Sequence, residues 1–340
     1  FMQRSYLYQH RLIKKIHKQT LNLIMMTCSL FLIQTSVFSQ DPEFTQFYSN
    51  PVYLNPAFAG SRICPRFVMN HRNEWPNISG KFVTTAAAYD QKVDALRGGL
   101  GLVFLNDNAA NTLTTTRASL IYSYHLKVTR KFSLNFGVEG SYYQKAVDWD
   151  RLTFGDMIDA RRGFVYQTNQ VRKDEPVNNM DFSAGVVGYT EQFYFGFAAH
   201  HLTTPNESFL DNVESTLPMK LTGHIGAILP LGSGGSLYSE KEESISPNIL
   251  YTRQGTSQQL NMGVYVKKGA LVGGVWYRNK DEFILTLGLE SDMIKVGYSY
   301  DVTLSKISII SGGSHEVSLA LNFNCKPKKK QFRPISCPSF

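Results

Sequence analysis

The stretch "KFSLNFGVEGSYY", residues 131–143, decides the fold of this chain. Its apolar side chains occupy every second position, at Phe132, Leu134, Phe136 and Val138. The positions between them carry small or polar residues, namely Ser133, Asn135, Gly137 and Glu139. A period of two sustained over this length is typical of a β-strand with one apolar and one polar face. This stretch therefore predicts a long, half-buried strand.

The same alternation recurs along most of the chain. It is clear in "QFYFGFAAH" (192–200), "EFILTLGLE" (282–290), "MIKVGYSYD" (293–301) and "EVSLALNF" (316–323). No stretch after residue 40 shows the period of a long helix. The chain is therefore predicted to be all-β, with about fourteen strands: 64–75, 81–91, 97–106, 112–126, 130–146, 180–189, 191–202, 218–230, 246–254, 257–268, 270–279, 281–290, 292–302 and 314–324.

The length of these segments indicates an antiparallel transmembrane β-barrel of about 14 strands over residues 64–324. A tilted strand needs roughly 9–11 residues to cross a bilayer, and many of the segments reach that length. One face is apolar, as lipid contact requires, and the other is rich in Gly, Ser, Thr and Asn, as in a polar lumen. The competing architecture is a secreted β-sandwich, whose strands are commonly shorter, about 5–6 residues.

The connections between the segments differ in length. Most are short turns, but 147–179, 203–217 and 231–245 are long. In an outer-membrane barrel the turns facing the periplasm are short and the loops facing the cell exterior are longer. We therefore expect all three long connections to lie together, at the end opposite to the short turns.

Residues 1–40 have the pattern of an export signal peptide. The apolar run "LNLIMMTCSLFLIQTSVF" follows five basic residues: Arg4, Arg11, Lys14, Lys15 and Lys18. The small Ser39 comes directly after this run, so we expect cleavage near Ser39 and Gln40. The run is short and has no basic stop-transfer flank, which argues against a retained membrane anchor.

The net charge of +8 belongs to the two ends of the chain. Residues 1–40 carry five basic and no acidic residues, so the chain that remains after cleavage carries +3. Residues 326–333 hold five further basic residues, which leaves residues 41–324 at −2. The basic balance is therefore no indication of a nucleic-acid-binding body.

The segment "QDPEFTQFYSNPVYLNPAFAGS", residues 40–61, is rich in aromatic residues but cannot form a central strand. Pro51 and Pro56 each lack a backbone donor and restrict the preceding residue. Residues 41–63 either fold into the barrel mouth as a plug or present their rings to a partner, and the plug is favoured because exposed aromatics are a liability. After cleavage we expect Asp41 to start in the periplasm. The rings concerned are Phe44, Phe47, Tyr48, Tyr53 and Phe58.

Three cysteines remain after signal cleavage: Cys64, Cys325 and Cys337. An exported chain meets an oxidising compartment, where disulfides form. Cys325 and Cys337 are candidates for a disulfide that closes a small loop in the tail and leaves Cys64 free. Unpaired thiols are the alternative. The spacing of the cysteines matches no zinc pattern.

Motifs for catalysis or cofactor binding are scarce. His200 and His201 end a predicted strand, where successive side chains point to opposite faces, so they cannot share a metal ion without a bend. We interpret them as girdle or rim residues. The sequence holds no nucleophile elbow and no nucleotide fingerprint in its required context. We therefore predict no enzyme, no cofactor and no metal site.

Several motifs together resemble the PorP/SprF outer-membrane proteins of the type IX secretion and gliding machinery of Bacteroidetes. They are "DPEFTQFYSNPVYLNPAFAGS" (41–61), "RNEWP" (72–76), "LTFGD" (152–156), "YSYD" (298–301), "GSHEVSLALNF" (313–323) and "CPSF" (337–340). Glu74 departs from the family pattern, which has Gln at that position. The resemblance covers nearly the whole chain after the export signal.

The resemblance implies a non-enzymatic outer-membrane protein that supports secretion and surface attachment of particular cargo, such as adhesins with non-cleaved-type C-terminal domains. It also implies contact with outer-membrane lipid and with the periplasmic ring components of the secretion machine, and no nucleic-acid partner. The alternative function is a porin for small solutes. The tail 325–340 is expected in the periplasm, either as a solvated extension or as a basic docking element with these contact residues: Lys328, Lys329, Lys330, Arg333 and Phe340.

Overall fold

A computed structural model describes residues 40–159, 161–169, 175–210, 213–231, 243–279, 282–304, 312–323 and 325. The predicted export signal before residue 40 lies outside these ranges. So do Cys337 and the tail residues predicted to contact a partner: Lys328, Lys329, Lys330, Arg333 and Phe340. Within the described ranges, no helix is long and apolar enough to cross a membrane.

Fourteen long strands make up most of the described chain. Each coincides with one of the fourteen predicted segments, so the predicted strand series is confirmed. The strands are β1 Arg66–Glu74, β2 Phe82–Val93, β3 Gly98–Ala109, β4 Leu113–Lys127, β5 Ser133–Val147, β6 Val177–Tyr189, β7 Phe193–His200, β8 Lys220–Ala227, β9 Ser244–Gln254, β10 Ser257–Lys268, β11 Leu271–Arg278, β12 Glu282–Glu290, β13 Ile294–Thr303 and β14 Ser314–Asn322.

The strands close into an antiparallel barrel. Each strand pairs with its neighbours along the chain, and β1 also pairs with β14, from Arg66 opposite Asn322 to Glu74 opposite Ser314. Closure pairs both edges of the fourteen-stranded sheet, which is the requirement for strands surrounded by lipid. The barrel prediction is thus confirmed, and the sandwich alternative is wrong.

Alternation along the strands separates an outer wall from a lumen. In β5, Asn135 and Glu139 are buried inside, whereas Phe136 and Val138 are exposed on the outside, at 46% and 58%. The pleat directs successive side chains to opposite faces, so a strict period of two in sequence becomes one lipid-facing and one inward-facing wall.

The two ends of the barrel differ in their connections. The end that carries Cys64 and Phe323, here called the terminal end, has the connections 94–97, 128–132, 190–192, 228–243, 269–270 and 291–293. The opposite end, here called the loop end, has 75–81, 110–112, 148–176, 201–219, 255–256, 279–281 and 304–313. Our expectation for 231–245 was wrong: a single strand, β8, separates it from 201–219, and antiparallel strands place consecutive connections at opposite ends.

Residues 40–63, here called the plug segment, lie inside the barrel. They contain one short helix, α1, over Pro51–Leu54, and a 3₁₀ turn over Pro56–Phe58. A proline begins each of them, where its missing donor costs nothing. Between the two, Asn55 is extended, and its side-chain oxygen accepts the Ala57 N–H at 3.0 Å. The main hydrophobic core of the protein is the contact between this segment and the lumen wall.

Candidate functional site in the barrel lumen

The plug segment crosses the lumen from end to end. At the loop end, the Asp41 N–H donates to Gln254 Oε1 at 3.0 Å. At the terminal end, Arg62 Nη1 donates to Asn322 Oδ1 at 2.9 Å. Asp41 therefore lies at the end opposite to Cys64. The segment enters β1 only after passing through the barrel, and the side of the membrane on which Asp41 starts stays a prediction.

The aromatic side chains of the plug segment face the lumen wall. Phe47 packs against Trp276 with ring centroids 4.8 Å apart, and Phe58 stacks on His224 at 5.4 Å. Phe44, Phe47, Tyr48 and Phe58 are buried and Tyr53 is half-buried. A role for these five rings in contacting a partner stays a prediction, and it would require the rings to leave the lumen.

Glycines in the wall allow the backbone of residues 55–60, here called the anchor, to approach closely. A Cβ atom on Gly137 would lie 2.2 Å from the backbone nitrogen of Ala57, and one on Gly99 would lie 2.3 Å from the Ala59 carbonyl oxygen. A Cβ on Gly185 would likewise collide with the Asn55 side chain. Any larger residue at these wall positions would displace the anchor.

Hydrogen bonds complete the seating of the anchor. Asn55 Nδ2 donates to the carbonyl oxygens of Val186 and Phe197, each at 3.2 Å. The Gly60 N–H donates to the Asp90 carboxylate at 2.9 Å. Ser123 Oγ donates to the Ala59 carbonyl at 2.6 Å. The wall thus pairs the polar groups that an irregular buried backbone would otherwise leave unsatisfied.

Residues 40–49, here called the arm, are held in a different way. The Glu316 carboxylate accepts the Thr45 N–H at 2.6 Å and the Thr45 hydroxyl at 2.9 Å. Gln46 Nε2 donates to the Glu316 carbonyl at 3.1 Å, and Ser318 Oγ donates to Gln46 Oε1. Side chains of β14 therefore recognise both the backbone and the side chains of the arm.

A buried ion-pair network supports the Glu316 contact. Arg72 Nη1 lies 2.6 Å from the Asp301 carboxylate and 3.9 Å from that of Glu316, and it donates to Thr45 Oγ1 at 3.3 Å. Asp301 and Glu316 are fully buried. Two carboxylates can be kept in the lumen because one guanidinium lies between them and the arm supplies further donors.

His201 joins the arm to the wall at the loop end. Its ring nitrogens lie 2.7 Å from Asp41 Oδ2 and 2.7 Å from Asp181 Oδ2. Its backbone is left-handed, with φ of 58°, so the alternation of β7 is broken at this residue. His200 and His201 are both buried as a result. The interpretation of the two histidines as girdle or rim residues is therefore wrong.

The contact between His201 and Asp41 is an ion pair at neutral pH. Burial disfavours the charged imidazolium, but Asp41 and Asp181 outweigh it and raise the pKa of His201 to about 9. Burial also disfavours the Asp41 carboxylate, yet the charges of His201 and Lys220 hold the pKa of Asp41 below its usual value. Each charge is thus stabilised by its opposite partner.

A cavity of about 50 Å³ remains between the arm and the wall. Its lining is mostly apolar, but it includes Asn50, Ser119 and Arg117. Within the part of the chain that the structure describes, no partner reaches the Asn50 amide, the Ser119 hydroxyl or Arg117 Nε, although each is buried. Buried polar groups are ordinarily paired. The arm therefore fills the loop-end half of the lumen incompletely.

A disulfide links Cys64 to Cys325 at the terminal end, with 5.5 Å between the Cα atoms. It joins the residue before β1 to a residue just after β14, next to the seam where the barrel closes. The predicted bond between Cys325 and Cys337 is therefore wrong, and Cys64 is not free. Pairing of β1 with β14 brings together two cysteines that are 261 residues apart in sequence.

Sequence reasoning missed the wall residues that hold the plug segment. His201, Glu316 and the wall glycines were not proposed as site residues. A signal was present, because Trp276 and Ile284 occupy inward positions of strands that otherwise alternate, and both are fully buried. Large apolar residues on the polar face of a barrel strand indicate that something apolar fills the lumen. Among the described residues, no group of His, Cys, Asp and Glu side chains could hold a metal ion.

Comparison with protein families gives one match that spans most of the chain. A family model described as "Type IX secretion system membrane protein PorP/SprF" matches residues 36–321. No curated protein sequence matches the chain. The family match includes the plug segment and all of the fourteen strands except Asn322 at the end of β14.

Solved structures of outer-membrane barrels are similar in fold. Omp33 of Acinetobacter baumannii has 8% identity and a TM-score of 0.42, with 78% of this chain and 100% of that one covered. The toluene transporter TodX of Pseudomonas putida has 10% identity and a TM-score of 0.45, with 84% and 98% covered. The KdgM porin has 12% identity and a TM-score of 0.37, with 76% and 99% covered. At these values, nothing about function follows from the likeness.

Proposed function

Because the chain belongs to the PorP/SprF family of type IX secretion system membrane proteins, we propose that it is a plugged, non-enzymatic component of that system in the outer membrane. It supports secretion and surface attachment of specific cargo, such as adhesins with non-cleaved-type C-terminal domains. It does so through protein contacts, without conducting solutes.

The observation that carries this proposal is the seating of the anchor. Gly99, Gly137 and Gly185 approach the anchor so closely that a single methyl group would displace it. A segment whose backbone packs this closely against the wall belongs to the folded barrel, and in this position it blocks the lumen. A fourteen-stranded barrel without it would be wide enough for small solutes. The blocked lumen therefore favours the secretion role over the porin alternative.

The direction of the barrel in the membrane follows from its connections. Five of the six connections at the terminal end have five residues or fewer, as is typical of the periplasmic side. We infer that the terminal end faces the periplasm and that residues 326–340 extend there, within reach of the secretion ring. The signal peptide is removed near Ser39 and Gln40, and the arm then ends at the cell-surface side.

The proposal is tested by affinity purification from detergent-solubilised outer membrane, followed by mass spectrometry. We expect both a large secreted protein and a periplasmic ring component to be recovered with the barrel. An outer-membrane barrel of unrelated family, purified in the same way, is the control. Recovery of neither class of partner would contradict the proposed role.

Planar-bilayer conductance separates the secretion role from the porin alternative. We expect the purified protein to insert without a steady open channel, because the plug segment fills the lumen. A stable conductance of the unsubstituted protein would favour the porin. A variant in which the anchor is displaced serves as the positive control for insertion.

The tail is tested separately by deleting residues 326–340. We expect the barrel to fold and insert, since the closing strand β14 ends at Asn322. Cargo display should be lost and recovery of the ring component reduced, because the basic tail is the proposed docking element. Normal cargo on the surface of such cells would show that the tail is a solvated extension.

A further inference from the structure

The arm and the anchor belong to one segment, but the wall holds them by different means. The anchor is fitted to glycines of the wall, where no other chain could take its place without the same backbone path. The arm is bound by side chains that reach out from the wall. After the proposed removal of the signal peptide, the arm is connected to the protein covalently at one end, through Asn50 and α1.

The side chains that bind the arm recognise features that another peptide of suitable composition could carry, provided that it bends as residues 45–50 do. Glu316 accepts a backbone N–H from Thr45, and Gln254 accepts one from Asp41. Ser318 and the carbonyl of Glu316 bond the side-chain amide of Gln46. These are the contacts of a peptide-binding groove, in which backbone bonds supply affinity and side-chain pockets supply specificity.

The arm leaves part of this groove unused. The cavity of about 50 Å³ beside it is lined by Ser119 and Arg117 from the wall. In the described part of the protein, neither the Ser119 hydroxyl nor Arg117 Nε has a hydrogen-bond partner. Each buried donor that stays unpaired carries a desolvation cost. A ligand that bonds these donors can therefore bind more tightly than a resident ligand that does not.

We propose that the loop-end half of the lumen is a peptide-binding site, and that the arm is its resident ligand, which exchanges with a peptide of a partner protein that adopts the same turn. The anchor stays seated during the exchange. This inference goes beyond the proposed function, since it concerns a binding site in the lumen and holds whichever protein supplies the peptide.

The chemistry of the arm defines the chemistry of the peptide. An acidic residue is needed opposite His201, where Asp41 now lies. A residue with a hydroxyl group at the Thr45 position bonds Glu316, and an aromatic residue at the Phe47 position packs on Trp276. A polar side chain directed at Ser119 and Arg117 would add contacts that the arm lacks. The site therefore takes a short acidic and aromatic peptide.

The first test measures binding of a labelled peptide with the sequence of residues 41–49. The protein is the full chain with residues 41–49 deleted, purified from the outer membrane in detergent. We expect this variant to bind the peptide, and the undeleted protein to bind it at least about tenfold more weakly, because the tethered arm competes at a high effective concentration. A scrambled peptide is the control. Absence of binding by a folded, arm-deleted barrel would overturn the proposal.

The second test places the site on the wall. In the arm-deleted protein, Glu316→Gln should weaken peptide binding about tenfold, because it removes a charge-assisted acceptor of the Thr45 N–H. Asp292→Asn is the matched control, since Asp292 is an exposed carboxylate in a turn at the terminal end. Equal effects of the two substitutions would contradict a site in the loop-end half.

A third variant keeps the proposal testable if the arm-deleted protein does not fold. The hydroxyls of Thr45 and Ser299 lie 2.8 Å apart, so Thr45→Cys combined with Ser299→Cys should form a disulfide that locks the arm in place. We expect the locked variant to bind the peptide only after reduction. A separate variant of the full chain, Asp41→Ala, should bind the peptide more tightly than the unsubstituted protein, because its arm lacks the contact with His201. Unsubstituted protein with reductant is the control. Peptide binding by the oxidised, locked variant would show that the site lies elsewhere.

Discussion

The anchor and the arm are close in sequence, yet the barrel holds the backbone of the first by steric fit, whereas it holds the second by charged side chains together with buried rings. At the anchor, wall glycines let two backbones touch, and apolar rings such as Phe58 fill the space around them. At the arm, carboxylates, an imidazolium and a guanidinium form the contacts. Steric fit does not change with pH or salt, whereas ionic contacts change with pH and with partners that carry competing charges.

Because of this difference, we expect the two halves of the lumen to open under different conditions. In the proposed role, the anchor keeps the terminal half of the barrel closed, because the wall glycines fit its backbone closely. The proposed exchange would open the loop-end half alone, because the arm is attached there partly by groups that titrate, such as His201. A barrel can in this way remain impermeable while one of its ends stays open to binding.

The largest effect is expected from Gly137→Val, which breaks the anchor. The Cβ at this position would lie 2.2 Å from the Ala57 backbone nitrogen, so either the strand or the anchor must move. We expect a loss of at least about 3 kcal/mol in the free energy of unfolding, together with an open conductance in planar bilayers. Thermal unfolding in detergent and conductance are the two measurements.

Gly223→Val is the control for this substitution. Gly223 lies in β8, and a Cβ there would meet nothing within 4 Å. The control adds the same side chain to a barrel strand without touching the plug segment. If both variants conducted equally, the anchor could not be what closes the lumen.

His201→Gln should weaken the attachment of the arm to the wall and leave the anchor in place. The substitution removes the cation that lies between Asp41 and Asp181 and leaves both carboxylates near each other. We expect a loss of about 2 kcal/mol and faster proteolysis near residue 41, but no conductance, because the anchor stays seated. Conductance of this variant as large as that of Gly137→Val would remove the distinction between the two halves.

His200→Gln is the matched control, since it changes the same residue type one position earlier. His200 is also buried and lines the cavity. Among the described residues, no hydrogen bond joins its side chain to the arm. We therefore expect proteolysis near residue 41 to remain at the rate of the unsubstituted protein.

The arm should loosen in alkali. The pKa of His201 is raised from 6.5 to about 9 in the folded protein, so its stabilising contribution is fully present below pH 6.5 and is lost as the pH rises through about 9. We expect slow proteolysis near residue 41 at pH 7 and fast proteolysis at about pH 10. In His201→Gln this pH dependence should disappear, and its persistence would mean that another group controls the arm.

The smallest effect is expected from Thr45→Val, which removes a hydroxyl from the arm without changing its shape. The bonds of Thr45 Oγ1 with Glu316, Ser299 and Arg72 are lost, while the backbone bond to Glu316 remains. We expect a loss of about 1 kcal/mol, measured by thermal unfolding. Thr286→Val is the control, because the buried Thr286 hydroxyl has no partner among the described residues, and this change should be neutral or slightly stabilising.

Much of the fold could be predicted because the alternation of apolar and polar residues within each barrel strand is visible in its own sequence. In β5 and β12 every second residue is apolar, and the pleat turns that period into a lipid face without help from distant residues. Strand number and order follow from fourteen such segments in series. The position of the connection 228–243 was also determined, since strand parity alone places it at the terminal end, although length suggested the opposite.

The candidate site could be predicted only in part. The prolines and rings of residues 40–61 indicated a segment that avoids the sheet and seeks an apolar surface, and the structure places it in the lumen. Its direction through the barrel could not be deduced, because nothing in the segment itself states which end Asp41 reaches. The contacts with His201 and Glu316, 160 and 271 residues away, exist only after the barrel has closed.

What the sequence by itself determined is therefore local: the period of the strands, their number, the turns and the exclusion of the proline-rich segment from the sheet. What only the tertiary structure decided is non-local: the pairing of Cys64 with Cys325, the left-handed turn that buries both histidines, and the seating of the anchor against Gly137. The physical reason is closure of the barrel. Pairing of β1 with β14 makes one surface from residues far apart in sequence, and the complementarity of that surface to the plug segment is a property of the assembled wall alone.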